Sequence, residues 1–262
     1  MHQFHSTSLR EYDIRGIVGD TLGEGDAYAI GRGFATLIGR AGGKTVTVGY
    51  DGRMSSPSLA DALVRGLNDS GCDAVIIGMG PTPMLYYAEA VMGDVDGGIM
   101  ITGSHNPANY NGFKMVFQGR PFFGADIRKL GDMAAAGDWA EGTGTSWTID
   151  IMDRYIDRLV EDFGGTAARV GWDCGNGAAG EVVARLVKRL PGEHFVLFPE
   201  IDGYFPNHHP DPTEEKNLAD LKALVAEKGL DFGVAFDGDG DRIGAIDGQG
   251  RVIWGDQLLQ IY

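Results

Sequence analysis

Short apolar runs alternate with longer amphipathic stretches along this chain, and that alternation most narrows what it can fold into. Thr45–Tyr50 (TVTVGY) and residues 74–78 and 98–102 read as strands, while residues 58–70 and 84–92 carry apolar side chains at helical spacing. Pro57 and Pro83 stand where those helices begin, a position at which a missing N–H costs nothing. Strand–helix–strand order implies a parallel sheet covered by helices. A second alternation follows: Ala168–Asp173 as strand, 180–190 as helix, 194–198 as strand, 218–228 as helix and Phe232–Phe236 as strand. Ile243–Asp247 and residues 251–254 form a hairpin turning at Gly248-Gln249-Gly250.

The expected fold is therefore α/β, with two consecutive α/β/α domains and mixed, mainly parallel sheets. Residues 141–146 (EGTGTS) break the pattern and are read as a linker. A helix at 150–162, with Ile151, Tyr155, Ile156, Leu159 and Val160 on one face, then opens the second alternation. The domains are placed at 1–148 and 149–255. Residues 256–262 (DQLLQIY) read as the first turns of a further helix, the start of a truncated third domain.

Hydrophobic residues make up 43% of the 262 and charged residues 23%, the balance of a folded protein with sizeable cores. A formal net charge of −15 repels nucleic acid and anionic lipid, so neither is expected as a partner. It repels an anionic substrate as well, so a phosphate site here needs local positive charge or a metal. Cys72 and Cys174 form no disulfide framework and are expected to be buried rather than reactive; the expected compartment is the cytoplasm. The polar N-terminus lacks a signal core, and no apolar run approaches a membrane span.

The strand ending at Phe236 runs straight into Asp237-Gly238-Asp239-Gly240-Asp241-Arg242. Carboxylates at alternate positions converge if the backbone curls, which the glycines permit. At ~5 Å apart each pair repels by about 3 kcal/mol at an effective dielectric near 20, so three of them call for a cation. A hard divalent ion with oxygen ligands is the natural partner, and magnesium suits a site with three protein ligands and positions left for phosphate and water. A calcium-binding helix–loop–helix needs glycine at loop position six and glutamate at twelve, where Arg242 and Gly248 stand. Arg242 is shaped to grip phosphate beside such a metal.

The run at 98–102 is followed by Gly103-Ser104-His105-Asn106-Pro107 and by a short strand carrying Lys114. Ligands in open α/β sheets bind beyond the carboxyl ends of strands, and Ser104 is at such an end. A serine hydroxyl is a weak nucleophile without help. His105 and Lys114 are the nearby candidates for proton transfer and charge stabilisation. Phosphorylated, Ser104 would carry nearly two negative charges and add an oxygen ligand to the metal.

Together the segments resemble the α-D-phosphohexomutase family. They are residues 12–16 (YDIRG), 49–53 (GYDGR), 102–114 (TGSHNPANYNGFK), 173–177 (DCGNG), 205–212 (FPNHHPDP) and 237–242 (DGDGDR), in the family's order and across almost the whole chain. TGSHNP followed by YNGFK is closer to the bacterial phosphomannomutase/phosphoglucomutase branch than to the alternative, phosphoglucosamine mutase, where SASHNP is expected. The resemblance implies an isomerase-class phosphotransferase that carries phosphate on Ser104. It donates that phosphate to a hexose 1- or 6-phosphate of mannose or glucose and recovers the other phosphate from a hexose 1,6-bisphosphate intermediate. It further implies Asp237, Asp239 and Asp241 as magnesium ligands, Arg242 as a contact of phosphoserine or substrate, His105 and Lys114 beside the phosphoserine, and Tyr12 and Arg15 at the active-site entrance. A phosphosugar is then the partner and a monomer the favoured state. Family members are about twice as long, so this chain is expected to bind magnesium but to turn over little alone.

Gly175-Asn176-Gly177-Ala178-Ala179-Gly180 competes with this reading. It fits G-x-G-x-x-G after a strand, with Glu200 near where a ribose-binding acid belongs, and taken alone it argues for a nicotinamide-dependent dehydrogenase. The preferred reading is a tight turn that packs helix on sheet. His208-His209-Pro210-Asp211 is likewise read as a rigid structural loop rather than a metal cluster.

Overall fold

The computed structural model describes residues 1–260. They form two compact units, divided between Ile151 and Met152.

In the first unit the elements run β1 (Ile14–Ile17), α1 (Glu24–Arg40), β2 (Thr45–Tyr50), α2 (Ser56–Asp69), β3 (Asp73–Met79), α3 (Thr82–Val91), β4 (Gly97–Ile101), β5 (Tyr110–Phe117), β6 (Arg120–Pro121), α4 (Ala125–Ala136) and β7 (Ser146–Thr148). The sheet order is β1-β5-β4-β2-β3-β7, with β6 beside β5. Only β5 runs against the other strands, since β1, β4 and β6 all pair with it antiparallel. Both faces are covered. Successive strand residues point to opposite faces. Gly97 lies against Phe34 of α1 and Gly98 against Leu85 of α3, which puts those helices on opposite sides. Ile30, Phe34 and Ile38 of α1 are fully buried with Leu63 and Leu67 of α2 and Leu130 of α4.

The second unit runs α5 (Met152–Glu161), β8 (Ala168–Asp173), α6 (Gly180–Leu186), β9 (Gly192–Leu197), a 3-10 turn (Glu215–Leu218), α7 (Ala219–Lys228), β10 (Phe232–Phe236), β11 (Ile243–Asp247), β12 (Val252–Ile253) and α8 (Gly255–Leu258). Its sheet order is β12-β11-β10-β8-β9, and again one strand, β11, runs against the rest. Gly171 faces Leu221 and Leu224 of α7, while the neighbouring Trp172 packs in the cluster of Cys174, Ala179 and Val183. Helices thus cover both faces here too, giving a mixed, mainly parallel sheet in each unit.

Several expectations need correction. The segment 141–146 is no free linker: Gly142 N–H donates to the Asp69 carbonyl and Gly144 N–H to that of Asn68, and Ser146–Thr148 adds a strand parallel to β3. A Cβ at Gly144 would lie 1.9 Å from the Cys72 carbonyl oxygen, so the glycine serves close approach, not flexibility. The helix expected at 180–190 ends at Leu186. On α5, Tyr155 and Ile156 are buried, but Leu159 is 40% exposed. Of the helical turns expected at 256–262, Gly255–Leu258 is helical, and residues 261–262 lie outside the described residues.

Candidate active site

In each unit the candidate loop links a central parallel strand to the one reversed strand that follows it. The serine loop joins β4 to β5 and the aspartate loop joins β10 to β11. Both therefore lie beyond the carboxyl end of a central strand, where α/β sheets bind ligands.

Ser104 is 2% exposed and adopts φ +49°, a left-handed conformation that costs a non-glycine residue about 1–3 kcal/mol unless its surroundings fix it. Its N–H donates to the Thr102 hydroxyl at 2.8 Å, and the N–H of Gly103 donates to Asp51 Oδ2 at 3.1 Å. Ser104 Oγ lies 3.3 Å from His105 Nδ1, within reach of proton exchange. Lys114 is partly buried on β5, opposite Met100. On β1, Arg15 pairs with Gly112. Opposed and alternate strand residues share a face, so Arg15 and Lys114 stand diagonally on one side of the sheet. Arg15 donates to the buried Asp13 through Nε at 2.9 Å and through Nη2. Tyr12 is 78% exposed and stacks on Phe123.

A resemblance motif without a stated role, GYDGR, supplies the floor of this loop. Asp51 and Arg53 are buried, and Asp51 accepts from Ser56 Oγ at 2.7 Å and from the Arg53 N–H at 3.0 Å. Burial pushes the Asp51 carboxyl up from its ordinary range, opposed by the Arg53 charge and by these hydrogen bonds. Asn111, fully buried, donates to the hydroxyls of both Ser55 and Ser56.

In the second unit, Asp237, Asp239 and Asp241 each present a carboxylate oxygen within 4.8 Å of the others, the only such group of acids, histidines or cysteines among the described residues. Asp237 and Asp239 are fully buried and Asp241 is exposed. The loop curls because Gly240 takes φ +69° and because Asp237 Oδ1 accepts the N–H groups of Asp241 and Arg242, each at 3.1 Å. Arg242 is exposed at its edge. The donor set is all anionic oxygen, the chemistry of a hard divalent cation.

The GNGAAG turn braces the aspartate loop. Ala178 N–H donates to the Gly238 carbonyl at 2.9 Å, and a Cβ at Gly177 would meet the same carbonyl at 2.9 Å. At Gly180 a Cβ would lie 2.0 Å from the Pro199 carbonyl oxygen. At Gly177, the position where a dinucleotide pyrophosphate would approach, the aspartate loop already fills the space, which argues against the dehydrogenase alternative, while Gly180 serves the expected close packing. Below the turn, His208 Nε2 contacts both oxygens of the buried Asp173, at 3.0 and 3.1 Å, and its Nδ1 faces the His209 carbonyl at 3.1 Å. Both ring nitrogens face acceptors, an arrangement that favours the doubly protonated ring. Burial is the largest single influence and opposes this charge, but the bond to Asp173, its negative charge and the His209 carbonyl together raise the His208 pKa above the ordinary value. Cys72 and Cys174 are free and buried, and burial pushes the Cys72 thiol up to about 12.

Comparison with known proteins places this geometry. A model of phosphoglucomutase/phosphomannomutase α/β/α domain I matches residues 6–141, and one of α/β/α domain II matches residues 153–250. The chain belongs to the phosphoglucomutase/phosphomannomutase family. It is 44% identical over 257 residues to a phosphomannomutase/phosphoglucomutase of Pseudomonas syringae pv. tomato, covering 98% of this chain and 55% of that protein. It is 41% identical over 257 residues to a phosphoglucomutase of Neisseria gonorrhoeae, covering 97% of this chain and 56% of that one. A crystal structure of a family protein from Burkholderia thailandensis superimposes with a TM-score of 0.94 at 41% identity, covering 99% of this chain and 58% of the other. The chain spans about half the length of the curated relatives it matches.

Proposed function

We propose that the two units carry the phosphoryl-transfer half of a phosphosugar mutase, interconverting hexose 1-phosphate and hexose 6-phosphate of mannose or glucose through a hexose 1,6-bisphosphate. The observation that carries this reading is Ser104, held left-handed at a strand end with its Oγ 3.3 Å from His105 Nδ1. In the loading step, the Ser104 Oγ–P bond forms as one sugar O–P bond of the bisphosphate breaks. The serine proton passes to His105 and leaves with the sugar oxygen. The reverse step returns phosphate to the other hydroxyl. Lys114 stabilises charge beside the phosphoserine, Arg242 holds phosphate, and Tyr12 and Arg15 line the approach of the sugar.

Asp237, Asp239 and Asp241 are the residues that would hold magnesium. When bound, the ion supplies positive charge that neutralises the transferring group. The cluster fits it because three hard anionic donors lie within 4.8 Å and two of them are buried. The partner is a small phosphosugar, and a cytoplasmic monomer fits the buried free thiols and the acidic surface. Among the described residues no helix is long and apolar enough to cross a membrane.

Phosphorus NMR after mixing the chain with glucose or mannose 1,6-bisphosphate tests the reading. One equivalent of hexose monophosphate per chain is expected, with none from Ser104→Ala. Monophosphate release that survives Ser104→Ala would overturn it.

A further inference from the structure

We infer that Arg53 is the positioning residue for Ser104, a buried cation that clamps the phosphate-carrying loop through its carbonyl oxygens. The inference rests on the reading of Ser104 as the phosphate carrier.

The Arg53 side chain is 0% exposed. A guanidinium removed from water must have its donors satisfied, and it has five N–H groups in a fixed fork. Nε donates to Asp51 Oδ2 at 3.2 Å. Nη1 donates to the carbonyls of Pro107 at 2.6 Å and Tyr110 at 2.9 Å. Nη2 donates to the carbonyls of Ser104 and Asn106, both at 2.7 Å. All five donors are thus used, and four of them end on one short loop.

The loop closes its own turns, with Asn106 N–H and Nδ2 donating to the Gly103 carbonyl and Tyr110 N–H to that of Pro107, and the guanidinium ties those turns together. Four carbonyl dipoles converge on one point and repel one another unless a cation sits between them. The guanidinium takes the place that a metal ion holds in a carbonyl cage. Its grip on the Ser104 carbonyl, with Thr102 holding the Ser104 N–H, fixes the peptide groups on both sides of the residue at φ +49°. Gly103 is part of the same device: a Cβ there would lie 2.4 Å from both Cζ and Nε of Arg53. Lysine cannot reproduce the arrangement, because an ammonium has three donors and no planar fork. Arg53 touches only Asp51 and backbone among these contacts, so its effect on the reaction passes through the loop.

The test compares wild-type protein with Arg53→Lys, Arg53→Met and, as a surface control, Arg40→Lys. Three readouts are taken: the melting temperature, amide hydrogen exchange over residues 103–110, and the single-turnover rate and half-saturating concentration for phosphorylation of Ser104 by glucose 1,6-bisphosphate. Arg53→Lys is expected to stay folded, to lose exchange protection in the loop and to transfer phosphate about a hundredfold more slowly, the scale of a misplacement near 1 Å, at little-changed half-saturation. Arg53→Met is expected to show a larger rate loss or to fail to fold; the lysine variant then decides. Arg40→Lys should match wild type. A folded Arg53→Lys protein with wild-type loop exchange or a wild-type rate overturns the inference. If wild-type Ser104 accepts no phosphate, the reading of the site fails instead, and the exchange comparison still decides whether Arg53 clamps the loop.

Discussion

Asp239→Asn is the perturbation that most directly questions the metal assignment. Asp237 and Asp239 are both fully buried, and their nearest ligand oxygens lie within 4.8 Å. At an effective dielectric near 20, two unit charges at that distance repel by about 3.5 kcal/mol. Asp241 is exposed, so water screens its share and it adds much less. A divalent cation that relieves this repulsion stabilises the folded second unit in proportion to its occupancy. At a hundred times Kd, binding is worth about 2.7 kcal/mol. For a domain of this size that is about 10 °C in melting temperature, at about 4 °C per kcal/mol. Differential scanning calorimetry in chelator and in saturating magnesium measures it. Wild type is expected to gain about that shift, whereas Asp239→Asn replaces an anionic ligand oxygen with a neutral amide oxygen and should gain a small fraction of it. An equal magnesium shift in the variant, or none in wild type, refutes the reasoning.

Other expectations follow from particular contacts. His105→Ala should slow phosphorylation of Ser104 by about a hundredfold with the melting temperature unchanged, as rapid-quench labelling would show; an unchanged rate removes His105 from proton transfer. His208 has its pKa raised in the folded state, so its charge contributes stability fully below the unfolded value of about 6.5 and loses it as pH rises through the folded value. The melting-temperature gap between wild type and His208→Gln should be widest in mild acid and narrow toward alkaline pH; a gap that widens instead contradicts the Asp173 pairing. Gly31→Ala should destabilise by about 1–3 kcal/mol despite alanine's better helix propensity, because its Cβ would lie 2.3 Å from the Leu63 carbonyl oxygen. Denaturant melts check this, and a more stable variant would show that α1 and α2 yield easily.

The core strands were legible because the apolar runs at Thr45–Tyr50 and Phe232–Phe236 have no other use than a buried sheet. The two candidate loops were legible because their chemistry is carried by adjacent residues. Glycine misled wherever it meets backbone rather than bends it. Helix α1, not identified from sequence, contains four glycines, yet Gly31 lies against α2 and Gly66 of α2 lies 2.2 Å, by its would-be Cβ, from the Tyr28 carbonyl oxygen. The same misreading made 141–146 a linker. The supports of the candidate site were hidden for a different reason. Arg53 bonds carbonyls more than fifty positions along, and His208 finds Asp173 thirty-five positions back, distances over which no local pattern speaks.

The central claim is that Ser104 carries the phosphate, and intact-mass spectrometry with peptide mapping tests it most directly. After incubation with glucose 1,6-bisphosphate and magnesium, the chain is expected to gain about 80 Da, confined to the peptide containing Ser104 and absent from Ser104→Ala. A chain that gains no mass, or gains it on another residue, contradicts the account.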